Sequence, residues 1–196
     1  MSIVRKATAE DLGRICRTVM LAFAEEPVVR WLYPDDELYF AGDGATMRPF
    51  LGNLLRHAES FITDDCVSVA MFVPPGRPEL GMQIDPNSPP VPADQLERFT
   101  ALGTAMREHT PPVLHWYLNV LGTHPHWRRQ GLGALVMGPR LETCDHDGIP
   151  MYLETGTIEN VAYYSHLGFS VRDEWDVPSA TGDGPHLWGM LREPGR

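Results

Sequence analysis

The stretch from Leu118 to Gly133 (LNVLGTHPHWRRQGLG) constrains this chain most: an apolar run of strand character, a turn, then Arg128-Arg129-Gln130-Gly131-Leu132-Gly133 where a helical pattern opens. A strand that delivers a glycine turn straight to a helix start builds an anion cradle. The glycines carry no Cβ, so main-chain N–H groups can approach phosphate oxygens, and the unpaired N–H groups and positive dipole end of the helix favour the anion. Arg128 and Arg129 add fixed charge and fork-shaped donors. The segment therefore predicts a diphosphate-binding turn over Arg128, Arg129, Gln130, Gly131, Leu132, Gly133 and Ala134. It is not a dinucleotide fingerprint, which wants Gly-x-Gly-x-x-Gly early in a βαβ unit, and the chain has no Gly-Lys-Ser/Thr for a nucleotide phosphate loop.

Before this segment, a strand is predicted at Ile3 to Ala7. Thr8-Ala-Glu-Asp11 forms a capping box ahead of a helix with apolar face Leu12, Ile15, Cys16, Val19, Met20 and Phe23, stopped by Pro27. Further helices are expected at Val28 to Leu32 and Gly44 to His57, with a turn at Tyr33 to Asp36. A hairpin follows, with arms Ser60 to Thr63 and Cys66 to Val73. Seven prolines between Pro74 and Pro92 predict a surface loop, and Asp94 to His109 resumes helical spacing. The second half alternates: strand His115 to Thr123, helix Gly131 to His146, strand Met151 to Thr155, helix Asn160 to Leu167, and an antiparallel pair at Ser170 to Val177 and Leu187 to Leu191. Such an order implies a mixed sheet covered by helices.

At 196 residues, 43% of them hydrophobic, the chain suits one globular domain over 1–196. Its net charge of −10 argues against non-specific nucleic-acid binding, which needs clustered Lys and Arg. Charges at Arg5, Lys6, Glu10, Asp11, Arg14 and Arg17 leave no secretory signal, and no apolar run is long enough to span a membrane, so a soluble, cytoplasmic protein is expected. Cys16, Cys66 and Cys144 are too scattered for a disulfide framework and should be reduced and buried. His124-Pro-His126 lacks further ligands at metal spacing and reads as a turn, so no metal is expected. Cys144 and His146 have no orienting third group and read as a helix end.

A second constellation is Met151-Tyr-Leu-Glu-Thr155 followed by Asn160-Val-Ala-Tyr-Tyr-Ser-His-Leu-Gly-Phe169. With both motifs in this order, 31 residues apart from Gly133 to Tyr164, the chain resembles the GNAT superfamily of N-acetyltransferases. Within it the chain is similar to the branch containing puromycin N-acetyltransferase, through Ala22-Phe23 with Pro27, Trp116-Tyr117-Leu118, Gly148-Ile-Pro150 before Leu153-Glu154-Thr155, and Trp188 with Met190. The resemblance implies an α/β (α+β) GNAT fold with a mixed, mostly antiparallel sheet of about six to seven strands flanked by helices. It also implies that the Arg128 to Gly133 turn binds the pyrophosphate of acetyl-CoA. Main chain around Leu121, Gly122 and Thr123 would pair with its pantetheine arm, Gly122 allowing a close approach or a bulge. Tyr164, before Gly168-Phe169, would protonate the leaving thiolate. Many members carry an Asn seven residues before the Tyr, where this chain has Thr157; Asn160 sits four before it, as in the puromycin-type branch, and would be a cofactor contact.

Acyl transfer to an amine has requirements that these residues can meet. The amine must lose a proton, attack the thioester carbonyl and expel a thiolate whose conjugate acid has a pKa near ~8.5. A tyrosine can supply the acid, and strand N–H groups can stabilise the oxyanion. For the base, Glu154 is the first candidate. Glu25, Glu26, His115 and His124 are rivals, and no single side chain need serve. Tyr163 and Tyr164 point about 100° apart on a helix, so one should face the core. Trp31, Tyr33, Trp116 and Tyr117 suit the core or an acceptor-pocket wall. The expected activity is N-acetylation of a small-molecule amine by direct transfer, in a monomer or homodimer. The alternatives are a non-catalytic acyl-CoA-binding module and an enzyme acting on a protein amine.

Overall fold

The computed structural model describes residues 2–81 and 92–195, Asp43 by its backbone alone. From the N-terminus, β1 (Val4–Lys6) leads through a short turn to α1 (Leu12–Ala22), α2 (Pro27–Leu32), α3 (Asp36–Tyr39) and α4 (Arg48–His57). The hairpin β2 (Glu59–Thr63) and β3 (Ser68–Val73) precedes α5 (Ala93–His109), β4 (Trp116–Thr123), α6 (Leu132–Asp147), β5 (Met151–Thr155), α7 (Ile158–His166), β6 (Ser170–Asp176) and β7 (His186–Arg192). The seven strands lie in the order β1-β2-β3-β4-β5-β7-β6, and every neighbouring pair is antiparallel except β4 with β5. β3, buried at every residue, sits inside the sheet, whereas β6, mostly exposed, forms an edge.

Most expected elements are present, and their caps explain the boundaries. Thr8 N donates to Asp11 Oδ2 at 2.9 Å, closing the capping box ahead of α1. Two segments differ. The turn expected at Tyr33 to Asp36 continues into α3, because Asp35 accepts from Leu38 N and starts a helical turn. The helix expected from Gly44 is a separate short turn, Ala45–Met47, before α4. Of the loop expected at 74–92, the first part closes as a tight turn at Pro78–Gly81; residues 82–91 lie outside the described residues.

Alternation along the strands sorts side chains onto two faces. Val69, Met71, Val73 and Val120 pack with α1 and α4 on one face. Phe72, Leu118, Leu153 and Met190 pack with α6 and α7 on the other. A third cluster closes the far end, where Trp31 and Leu32 of α2 meet Leu102 and Ala105 of α5 and Trp175 and Leu187 of the last strands. The three cysteines are buried and unbridged.

Candidate active site

β4 and β5 register at only two positions, Trp116 with Met151 and Tyr117 with Tyr152, after which they part. Beyond that point β4 runs on to Thr123 with β3 as its one registered neighbour. His124 N donates to Val67 O at 2.8 Å on the β3 side. Ladder alternation then turns the main-chain groups of Leu121 and Thr123 toward the gap, while Gly122 faces β3. Strand N–H and C=O groups without a ladder need partners, so this open edge could pair with an extended, amide-bearing chain.

The register of β3 on β4 slips between Met71 and Phe72, leaving Asn119 as the extra residue of a bulge. Two consecutive side chains, Asn119 and Val120, therefore share the face of Tyr117 and enter a cavity, while Leu118 and Leu121 pack on the opposite face. Of the close approach or bulge expected at Gly122, the bulge lies three residues earlier. Gly122 is a place of close approach to α1: a Cβ there would lie 3.1 Å from Ala22 Cβ and 3.4 Å from the Phe23 ring, so its absence seats the end of α1.

Past β4, the segment from Arg128 to Gly133 turns the chain into α6. Arg129 (φ 61°) and Gly131 (φ 77°) are left-handed, and a Cβ at Gly131 would meet open space. With Gly131 as N-cap, Leu132, Gly133 and Ala134 begin α6 with N–H groups that have no intrahelical acceptor. The two arginines differ. Arg128 Nη2 donates to Ala22 O at 2.8 Å and so ties the turn to the last carbonyls of α1. Gly133 matters for helix packing, since a Cβ there would lie 2.7 Å from Tyr163 Oη. The Tyr163 hydroxyl is buried and has no hydrogen-bond partner among the described residues.

Tyr164 is the core-facing member of the tyrosine pair, packed on Phe169 with ring centroids 5.7 Å apart. Burial holds its phenol well above the usual tyrosine value, and the neighbouring Tyr163 and Glu26 push the same way. It is therefore fully protonated near neutrality and able to donate. Glu26 starts α2, its Oε2 accepting from Val29 N at 2.8 Å, and its Oε1 packs over Gly156, just past β5. Burial raises the Glu26 pKa as well. Asn160 lies in the first turn of α7, where its N–H donates to the Thr157 N-cap at 3.3 Å.

A cavity of about 210 Å³ opens beside the gap, between α1, α2, α4, α5 and the strands. Its lining is mostly apolar, with Asn119, Glu26 and Glu154 as polar exceptions. Burial pushes the Glu154 carboxyl up to about 7, against the opposing pull of the Tyr117 and Tyr152 phenols. Neither Glu154 Oε2 nor the Tyr152 hydroxyl closes a hydrogen bond of normal geometry. A carboxyl titrating near neutrality and facing a cavity suits proton acceptance.

The rival bases separate clearly. Glu25 is exposed and lines no part of the cavity; His115 is held by Val113 O at 2.7 Å, and His124 accepts from His126 N in the exposed turn. Of the aromatic set, Tyr33 and Tyr117 wall the cavity, whereas Trp31 is core and Trp116 stacks under Arg140. Asn119 and Tyr152 escaped the sequence reading. Tyr152 was accessible through i, i+2 alternation with Glu154, but the bulge that turns Asn119 inward leaves no mark in the sequence. No group that could hold a metal occurs among the described residues, nor any helix long and apolar enough to cross a membrane.

No family model matches the chain. An uncharacterized N-acetyltransferase of Schizosaccharomyces pombe is 34% identical over 88 residues, covering 40% of this chain and 32% of that protein, so the chain spans about a third of its relative's length. Among solved structures, arylalkylamine N-acetyltransferase 2 of Aedes aegypti superposes with a TM-score of 0.72 at 14% identity, over 99% of both chains. The Corynebacterium glutamicum histone acetyltransferase HPA2 and related acetyltransferase gives 0.67 at 20% identity, over 100% of this chain and 97% of that one. The ribosomal-protein-S18-alanine N-acetyltransferase of Escherichia coli gives 0.58 at 16%, over 100% and 96%. With its seven-stranded, mostly antiparallel sheet parted between β4 and β5 and flanked by helices, the chain has the fold of the GNAT acetyltransferases.

Proposed function

We propose that residues 1–196 act as one N-acetyltransferase domain that moves an acetyl group from acetyl-CoA directly to the primary amine of a small molecule. The observation that carries this is the parting of β4 from β5 after Tyr117 and Tyr152. The gap has a helix N-terminus and a left-handed glycine turn at one end, and a cavity with a near-neutral carboxyl on one side. Acetyl-CoA fits those features: free N–H groups of Leu132, Gly133 and Ala134 for its diphosphate, and the open edge at Leu121 and Thr123 for its amide-bearing arm.

When bound, the coenzyme supplies an activated acyl carbon and a thiolate leaving group. Glu154 accepts the proton that the amine nitrogen loses as its bond to the acyl carbon forms. The β4 N–H groups facing the gap stabilise the oxyanion, and Tyr164 donates its phenolic proton to sulfur as the C–S bond breaks. Solvent exchange then returns the proton from Glu154 and reprotonates Tyr164. The walled cavity favours a small acceptor over a peptide, although proteins of this fold are named for both kinds of substrate. Thiol release from acetyl-CoA in the presence of an amine panel tests the proposal. Coenzyme binding without thiol release from any amine would instead favour a non-catalytic acyl-CoA-binding module.

A further inference from the structure

Resting on the acyl-transfer reading above, we infer that Tyr152 is a positioning residue for the base, its hydroxyl donating to the Glu154 carboxylate from the slot that Gly189 leaves open on β7. β4 and β5 part after the pair Tyr117 and Tyr152, so Glu154 is the next side chain along that face of β5. Its registered partner on β7 is Gly189. Residues opposite each other in an antiparallel pair share a face, with Cβ positions about 4.5–5.5 Å apart, so a side chain at 189 would lie against Glu154. The Tyr152 hydroxyl stands there instead, 2.6 Å from where a Cβ of Gly189 would be. The absence of a side chain at Gly189 admits the phenol to the flank of Glu154.

Both groups are buried and unspent. Tyr152 is 1% exposed, and among the described residues neither its hydroxyl nor Glu154 Oε2 has a hydrogen-bond partner. Buried polar atoms this close gain most by meeting each other. Burial and the neighbouring Glu154 push the Tyr152 phenol far above its ordinary value, so it keeps its proton and can donate. An ionised carboxylate only accepts, and the phenol draws the Glu154 carboxyl down against the burial that raises it. Tyr117 does the same from β4 but walls the cavity as well, whereas Tyr152 is not among its lining residues. The other ionisable neighbours are Glu26 of α2, set against Gly156, and His115, whose ring meets Tyr152 edge-on at 5.4 Å. Arg172 and Asp173 of β6 also act on Tyr152, Asp173 being paired with His109 of α5 at 2.6 Å.

Tyr152→Phe keeps the ring and all of these neighbours and deletes the hydroxyl alone. It should move the acid limb of the pH–rate profile up by about one half to one pH unit, since a donor to the charged form has been lost. On the alkaline plateau, kcat should stay within about threefold of wild type and the amine KM should be unchanged, because Tyr152 acts through Glu154 and not on the substrate. Infrared titration of the protonated-carboxyl band, assigned by its loss in Glu154→Gln, reads the same group without turnover, and its midpoint should rise by the same amount. An unmoved or lowered midpoint would overturn the assignment, as would a raised amine KM with the acid limb in place. Absence of thiol release with every amine would defeat the acyl-transfer reading, and the infrared midpoint would still decide the pairing of Tyr152 with Glu154.

Discussion

Glu26 Oε1 lies 2.6 Å from where a Cβ of Gly156 would stand, so the carboxyl that opens α2 is in contact with the backbone just beyond β5. This contact joins the first helices to the parted strands. Because Gly156→Ala would meet the far end of a side chain, the fold can adjust, but Glu26 cannot keep both its place and its cap on Val29 N. We expect a loss of about 1 kcal/mol from the weakened cap and a roughly tenfold rise in KM for the amine. Denaturant unfolding and amine titration at saturating acetyl-CoA measure the two. An unchanged amine KM would remove Glu26 from the acceptor site.

As the proposed base, Glu154 would link activity and stability to pH in opposite senses. Its ordinary value of 4.5 is raised to about 7, so the folded protein holds this proton more tightly than the unfolded chain. Stability therefore falls as pH climbs from about 4.5 to about 7, by on the order of 3 kcal/mol, and levels off above that. Turnover by the charged carboxylate rises across the upper part of the same window. Glu154→Gln should lower kcat by roughly 10²–10⁴, abolish the acid limb of the pH–rate profile and raise Tm at pH 8. A variant with the wild-type acid limb would assign the base elsewhere.

The fold was legible where local signals agree. A capping box stands ahead of α1, prolines flank α5, and unbroken burial in Val69 to Val73 marks an inner strand, whereas Pro27 opens α2 rather than stopping α1, which ends at Ala22. The glycine turn ahead of α6 was legible because a glycine at a left-handed helix start follows from residue type alone. The cavity side was not. The inward aim of Asn119 depends on a bulge in the pairing with β3, and the contact of Glu26 with Gly156 joins residues 130 apart in the chain. The sequence weighs Arg128 and Arg129 alike because they are chemically identical. What separates them is which one reaches the end of α1.

The paired tyrosines allow a direct contrast. Tyr164→Phe should reduce turnover by roughly 10²–10⁴ while coenzyme A affinity stays within about twofold, since the role proposed for the phenol is on the departing sulfur. Tyr163→Phe removes a buried hydroxyl that has no partner, so stability should hold or rise slightly and turnover should change little. Stopped-time thiol assays with calorimetric titration of coenzyme A give both readouts. A larger catalytic loss at Tyr163 would reverse the assignment.

The two arginines of the turn should separate in the same way. Arg128 donates to the Ala22 carbonyl at the C-terminal end of α1, where orphan acceptors and the negative dipole end favour a cation. Arg128→Ala should therefore cost about 1 kcal/mol of stability along with any coenzyme affinity it provides. Arg129 sits at φ 61°, a conformation that a side chain tolerates at about 1–2 kcal/mol and glycine adopts freely. Arg129→Gly relieves that strain while loosening the unfolded chain, so stability should stay within about 1 kcal/mol of wild type. If its guanidinium faces the diphosphate, the Kd for coenzyme A should rise roughly five- to tenfold at low salt, and the difference should shrink at 0.5 M salt as the charge is screened. Calorimetric titrations at two salt concentrations, beside denaturant unfolding of both variants, decide the matter. An Arg129→Gly protein that binds coenzyme A like wild type at low salt would leave the helix N–H groups as the whole of the phosphate site.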